Sequence, residues 1–144
     1  MRAKSSAIRP LLVLALGLCF AGSALAEQTP APAGAEAYII SPADGATVST
    51  PLTVRFGLKG MGVAPAGTQV PNTGHHHLIV DADTPAPGQP ISKDAQHLHF
   101  GGGQTETVLE LPPGRHTLQL LLGDYAHVPH DPPVMSKPIT VIVE

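Results

Sequence analysis

The chain has 144 residues, with 15 Gly, 16 Pro, a single Cys and a formal charge of −3. Three of the eight Lys/Arg fall within the first nine residues, so residues 27–144 carry a net charge of about −6. That balance excludes nucleic acid and anionic lipid surfaces as partners, because both require clustered Lys/Arg.

The first segment reads as a signal peptide, residues 1–26. Arg2, Lys4 and Arg9 precede an uncharged apolar run from Leu11 to Ala21, and Ala24-Leu25-Ala26 gives the small-x-small pattern of a cleavage site. The run is shorter than the roughly 20 apolar residues that a permanent membrane anchor needs. Cys19 sits inside the run after Leu18, where lipoprotein signals would place a small residue, so lipidation is not expected. The expectation is an exported protein, periplasmic or secreted, beginning at Glu27. With no cysteine after the cut, it has neither a disulfide nor a thiolate metal site.

Residues 27–36 are Pro/Ala-rich without periodicity and read as a disordered lead-in. From residue 37 to 144, period-two patterns alternate with turn residues. Leu52, Val54, Phe56 and Leu58 share one face of a strand. His75 to Val80 is a further strand between two long Pro- and Gly-containing loops, 59–74 and 82–95. His97 to Phe100 is short and extended, and ends at Gly101-Gly102-Gly103. With Tyr38-Ile39-Ile40 as a first short strand, segments 105–111, 116–122 and 139–143 bring the total to about seven, and no window shows a helical period. This pattern predicts an all-β, immunoglobulin-like sandwich.

Three segments carry a resemblance. SPADGATV (41–48) is similar to the opening of many bacterial immunoglobulin-like domains and of CopC-type periplasmic copper carriers. NTGHHHLIVD (72–81) and the stretch from His99 to Ser136 together resemble the bacterial family called domain of unknown function 4399 (DUF4399). The resemblance implies export and the sandwich fold and brings no biochemical role with it. CopC-type carriers place a histidine at the mature N-terminus, where Glu27 stands here, so the likeness does not extend to their ligands.

Chemistry must therefore be read from the histidines. Seven of the eight fall in three clusters: His75, His76 and His77; His97 and His99; His127 and His130. Alternate strand residues share a face about 6.6 Å apart, so His75 with His77, and His97 with His99, can each converge on one ion at about 2.0–2.1 Å per bond. Imidazoles without thiolate favour Cu(II) or Zn(II), copper above all in an oxidising compartment. The expected metal ligands are His75, His77, His97, His99, His127 and His130. With ordinary histidine pKa values, protons would displace the metal between about pH 7 and 5. The plainer reading is that histidines close polar networks at sandwich edges, with His76 facing inward beside Leu78 and Val80. His116, two residues after Pro113-Gly114, stands where such domains carry a corner tyrosine, and a structural role is expected of it.

No G-x-S-x-G turn and no H-E-x-x-H helix occurs, and the cysteine-free mature chain rules out the disulfide of a Cu,Zn superoxide dismutase. The expectation is thus a non-enzymatic periplasmic module. It would hold a transition metal or, as the alternative, contact an envelope protein partner without metal.

Overall fold

The structure, a computed structural model, describes residues 28–144; the expected signal peptide lies outside them. Nine strands follow in chain order: β1 (Glu36–Ser41), β2 (Ala46–Val48), β3 (Leu52–Lys59), β4 (Gly62–Val63), β5 (Thr73–Val80), β6 (His97–His99), β7 (Glu106–Leu109), β8 (Gly114–Gly123) and β9 (Ile139–Val143). There is no helix among the described residues. The count exceeds the expected seven because two- and three-residue strands, β2 and β4, carry too few side chains to show a period.

The strands form two sheets. One has the order β1-β3-β7, the other β2-β9-β8-β5-β4 with β6 paired to β5. Distributing consecutive strands this way, with β3 on one sheet and β5-β8-β9 on the other, is the immunoglobulin-like arrangement. The inner faces meet in one apolar core. Ala37, Leu52, Val54, Phe56 and Leu109 come from the small sheet, and Leu78, Val80, Leu118, Leu120, Leu122 and Val141 from the large one. Phe56 is 3 % exposed and stacks obliquely on Phe100 at 4.9 Å and on His76 at 5.3 Å between ring centroids.

The outer face of β5 is also buried, which strand alternation alone does not predict. The loops 81–96 and 124–138 fold over it, and Ile79, Ile91 and Leu121 make a second small core with Ala82 and Met135 at its margin. A backbone bond from Ile91 N to His127 O (2.8 Å) ties the two loops together. β5 therefore has no solvent face, and every residue from Gly74 to Val80 is buried.

The lead-in differs from its expected disorder. Ala31 N donates to Asp131 O (2.9 Å), Asp131 N to Thr29 O (3.0 Å) and Gln28 Nε2 to Pro129 O (3.1 Å). Residues 28–31 thus lie along the loop after β8. Their Pro and Ala residues hide this in the sequence because the contact uses backbone groups, which leave no side-chain pattern.

Candidate metal centre

The cluster begins with the alternation of β5. His76 shares its face with Leu78 and Val80 and enters the core, leaving His75 and His77 on the opposite face beside Ile79. Registers then select their companions. His77 stands opposite His99 on β6 and opposite Leu121 on β8, while His75 stands opposite Gly123. Cross-strand partners share a face, so His99 is brought beside His77.

Two glycines make room for the rings. A Cβ on Gly123 would lie 2.7 Å from His77 Cε1, and one on Gly101 would lie 2.3 Å from His99 Cε1. Neither glycine has a positive φ, so it is the ring above it, and not the backbone, that requires a bare Cα. The Gly101-Gly102-Gly103 run, which ends β6, also seats His99.

His127 arrives from the loop after β8. The four rings of His75, His77, His99 and His127 then face one another with centroids 4.8 to 6.0 Å apart. One ligand atom each from His75, His77 and His99 lies within 4.8 Å of the others. Nε2 of His99 and Nε2 of His127 are 3.0 Å apart, so one carries the proton that the other accepts. His75 and His77 are fully buried, and His99 and His127 are half-buried between them and solvent.

Two expected ligands are elsewhere. His97 lies opposite Ile79, two residues from His99 along β6, and its Nδ1 donates to Asp94 Oδ1 at 2.9 Å. His130 is fully buried with neither nitrogen bonded, and its ring makes no stacking contact with the four. The spacing that pairs His97 with His99 is correct for one face, but the cluster sits at one end of β6 and admits only the nearer residue.

The electrostatics follow from burial. Both nitrogens of His75 and Nδ1 of His77 are buried without a hydrogen-bond partner. A charged imidazole there would lose its hydration, which lowers the pKa of His77 to about 3 and of His75 to about 4, with repulsion from the neighbouring histidines adding to the effect. Desolvation, then His127 and Lys93, lowers His99 in the same direction. The lowered values favour the neutral rings of His75, His77 and His99, with lone pairs available. Burial thus lowers the pH at which protons would compete for His75 and His77 below the pH 7-to-5 window that ordinary histidine pKa values give. His76, against Phe56, is held at about 4 by burial alone.

His116 contrasts with all of these. Its Nδ1 donates to Asp81 Oδ2 (2.7 Å) and its Nε2 to Pro112 O (2.8 Å), so it ties the β8 corner to the backbone upstream as the missing tyrosine would. Both neighbours are acceptors only, so the ring must carry both protons, and its pKa is raised by the bond to Asp81 and then that to Pro112.

Fold and site together define an all-β two-sheet domain with a partly occluded imidazole cage on the outer face of its larger sheet. The family model described as Domain of unknown function (DUF4399) matches residues 54–144, which include every histidine of the cage, and the chain belongs to that family. No curated protein and no solved structure matches this chain.

Sequence reasoning did not single out Asp124, which is 3 % exposed and accepts three hydrogen bonds beside the cage. The available signal was an aspartate directly after a strand, two residues before a small residue in a loop, the setting of an Asx turn.

Proposed function

We propose that this domain is an exported metal-binding module that holds one copper or zinc ion through His75, His77, His99 and His127. One observation carries the reading: buried imidazole nitrogens of His75 and His77 lack any protein partner in the middle of a four-histidine cluster. Leaving such groups unpaired costs about 1–3 kcal/mol each, a cost that metal bonds would remove. The 3.0 Å between Nε2 of His99 and Nε2 of His127 also suits two ligands of one ion at about 2.0–2.1 Å each. Neutral donors alone, with no cysteine after residue 26, fit Cu(II) or Zn(II) better than harder cations.

Titration of tag-free protein starting at Glu27 with Cu(II) and Zn(II) tests the proposal. The expected result is one tightly bound equivalent, lost in His75→Ala/His77→Ala and retained in His97→Ala and His130→Ala. Weak, non-stoichiometric uptake by the parent would overturn it. A second reading, an envelope interaction module without metal, draws on exposed Tyr38, Ile40 and Val108, which lie on the outer face of the small sheet. It becomes the better account if the parent binds no ion.

A further inference from the structure

We propose that Asp124 is the positioning residue of the histidine cage: its buried carboxylate, tied to Thr29, folds the turn that presents His127 to His99. The inference rests on the metal-binding reading for its ligand, while its structural half concerns only this chain.

His127 needs such support more than the other three histidines. His75, His77 and His99 sit on strands whose ladders fix them, whereas His127 belongs to a loop. Its φ is +67°, in the left-handed region that a residue with a Cβ occupies only when its surroundings hold it there. Asp124 supplies the hold. Its Oδ1 accepts from Ala126 N (2.8 Å) and Val128 N (2.9 Å), the amides on either side of His127. The main chain closes the same turn, with Asp124 N donating to Val128 O (2.9 Å) and His127 N to Asp124 O (3.0 Å).

The second oxygen faces the N-terminal segment. Thr29 Oγ1 donates to Asp124 Oδ2 at 2.7 Å. Thr29 is itself pinned by its carbonyl to Asp131 N, and Gln28 reaches Pro129 O, so residues 28–31 brace the loop on the far side of His127. Removing this carboxylate, which serves three donors at 3 % exposure, leaves the buried Val128 amide and the part-buried Ala126 amide unserved, and only main-chain bonds then hold His127 at a positive φ.

Cu(II) is the probe, and His127→Ala the reference. Asp124→Ala should weaken Cu(II) binding as much as His127→Ala does, about tenfold or more, with the same change in the nitrogen hyperfine pattern of the electron paramagnetic resonance spectrum. Combining the two substitutions should add nothing further. Asp124→Asn, whose amide oxygen still accepts from Ala126 and Val128, should restore most of the affinity, and Thr29→Val should give a smaller loss in the same direction. Parental affinity and spectrum in Asp124→Ala, losses that add in full, or an Asp124→Asn no better than Asp124→Ala would each overturn the proposal. If circular dichroism shows Asp124→Ala unfolded, Thr29→Val decides, and a parental spectrum there overturns it. If the parent binds no Cu(II), the metal reading fails by itself. The positioning role is then read in the metal-free protein as a nuclear Overhauser contact between the His99 and His127 rings. Loss of that contact in Asp124→Ala (in Thr29→Val, should Asp124→Ala not fold) supports the role; its persistence, or its absence from the parent, overturns it.

Discussion

His116 and the pair His75/His77 are all buried histidines on the large sheet, yet their surroundings solve opposite problems. His116 gives both its protons to acceptors, Asp81 and Pro112, and is stabilised as a cation. His75 and His77 have burial without acceptors and are held neutral. A corner needs a tether, and two hydrogen bonds to acceptors make one. A metal ligand needs an exposed lone pair, which requires the protein to withhold its own donors. The difference teaches that a tether is recognised by the acceptors it serves, and a candidate ligand by their absence together with further imidazoles beside it, which His75 and His77 have.

The largest expected effect sets the scale. Phe56→Ala, on the inner face against His76 and Phe100, should destabilise by about 3–5 kcal/mol in urea denaturation. A loss below about 1 kcal/mol would mean that the inner face of β5 is not the core, and the two faces would lose their distinction.

The comparison itself is sharpened by a matched pair of substitutions. His116→Leu should cost about 2 kcal/mol, because it strips a charged hydrogen-bonded tether and leaves the Pro112 carbonyl unserved. His77→Leu should leave the metal-free protein as stable or about 1 kcal/mol more stable, because an unpartnered nitrogen is replaced by an apolar group of similar size. Equal losses in the two variants, measured by denaturant midpoint, would break the contrast.

The two regions should also respond oppositely to pH. The folded pKa of His116 is raised, so its contribution is fully present below about pH 6.5 and fades as pH rises through the folded value. Those of His75, His76 and His77 are lowered to about 4, 4 and 3, so their contribution is present above about pH 6.5 and is lost as pH falls toward those values. Each histidine adds up to about 1.4 kcal/mol per pH unit to the slope inside its window. Denaturation of the metal-free protein from pH 8 to 4 should therefore show a steep acid limb that His77→Leu makes shallower and His116→Leu leaves in place. An acid limb unchanged by His77→Leu would contradict the assignment.

The smallest effects concern the glycines beneath the rings. Gly123→Ala should reduce Cu(II) affinity several-fold by pushing His77 aside, whereas Gly102→Ala should leave it unchanged. The Cβ added at Gly102 meets only the flexible end of Gln104. Equal affinity of both variants in a Cu(II) titration would show that the ring positions tolerate displacement and that the cage is looser than its contacts indicate.

Much of this was legible in the residues alone. Alternation in 52–58, 75–80 and 116–122, together with the turn residues between them, is enough for an all-β sandwich, because each strand's period of two is a local property. The same alternation assigns His76 to the core and His75 and His77 to the other face, and the Pro-Gly turn marks His116 as a corner residue. Which histidines meet is a different kind of fact. The register pairing His77 with His99 places His97 beside Ile79. The loops 81–96 and 124–138 turn an outer face into an interior one, shifting pKa values by desolvation. His127 reaches the cage, and His130 does not, because Asp124 and the N-terminal segment shape a loop that has no period. Local periodicity is written into neighbouring residues; register, loop docking and burial arise between residues as far apart as Thr29 and Asp124, and only the folded chain decides them.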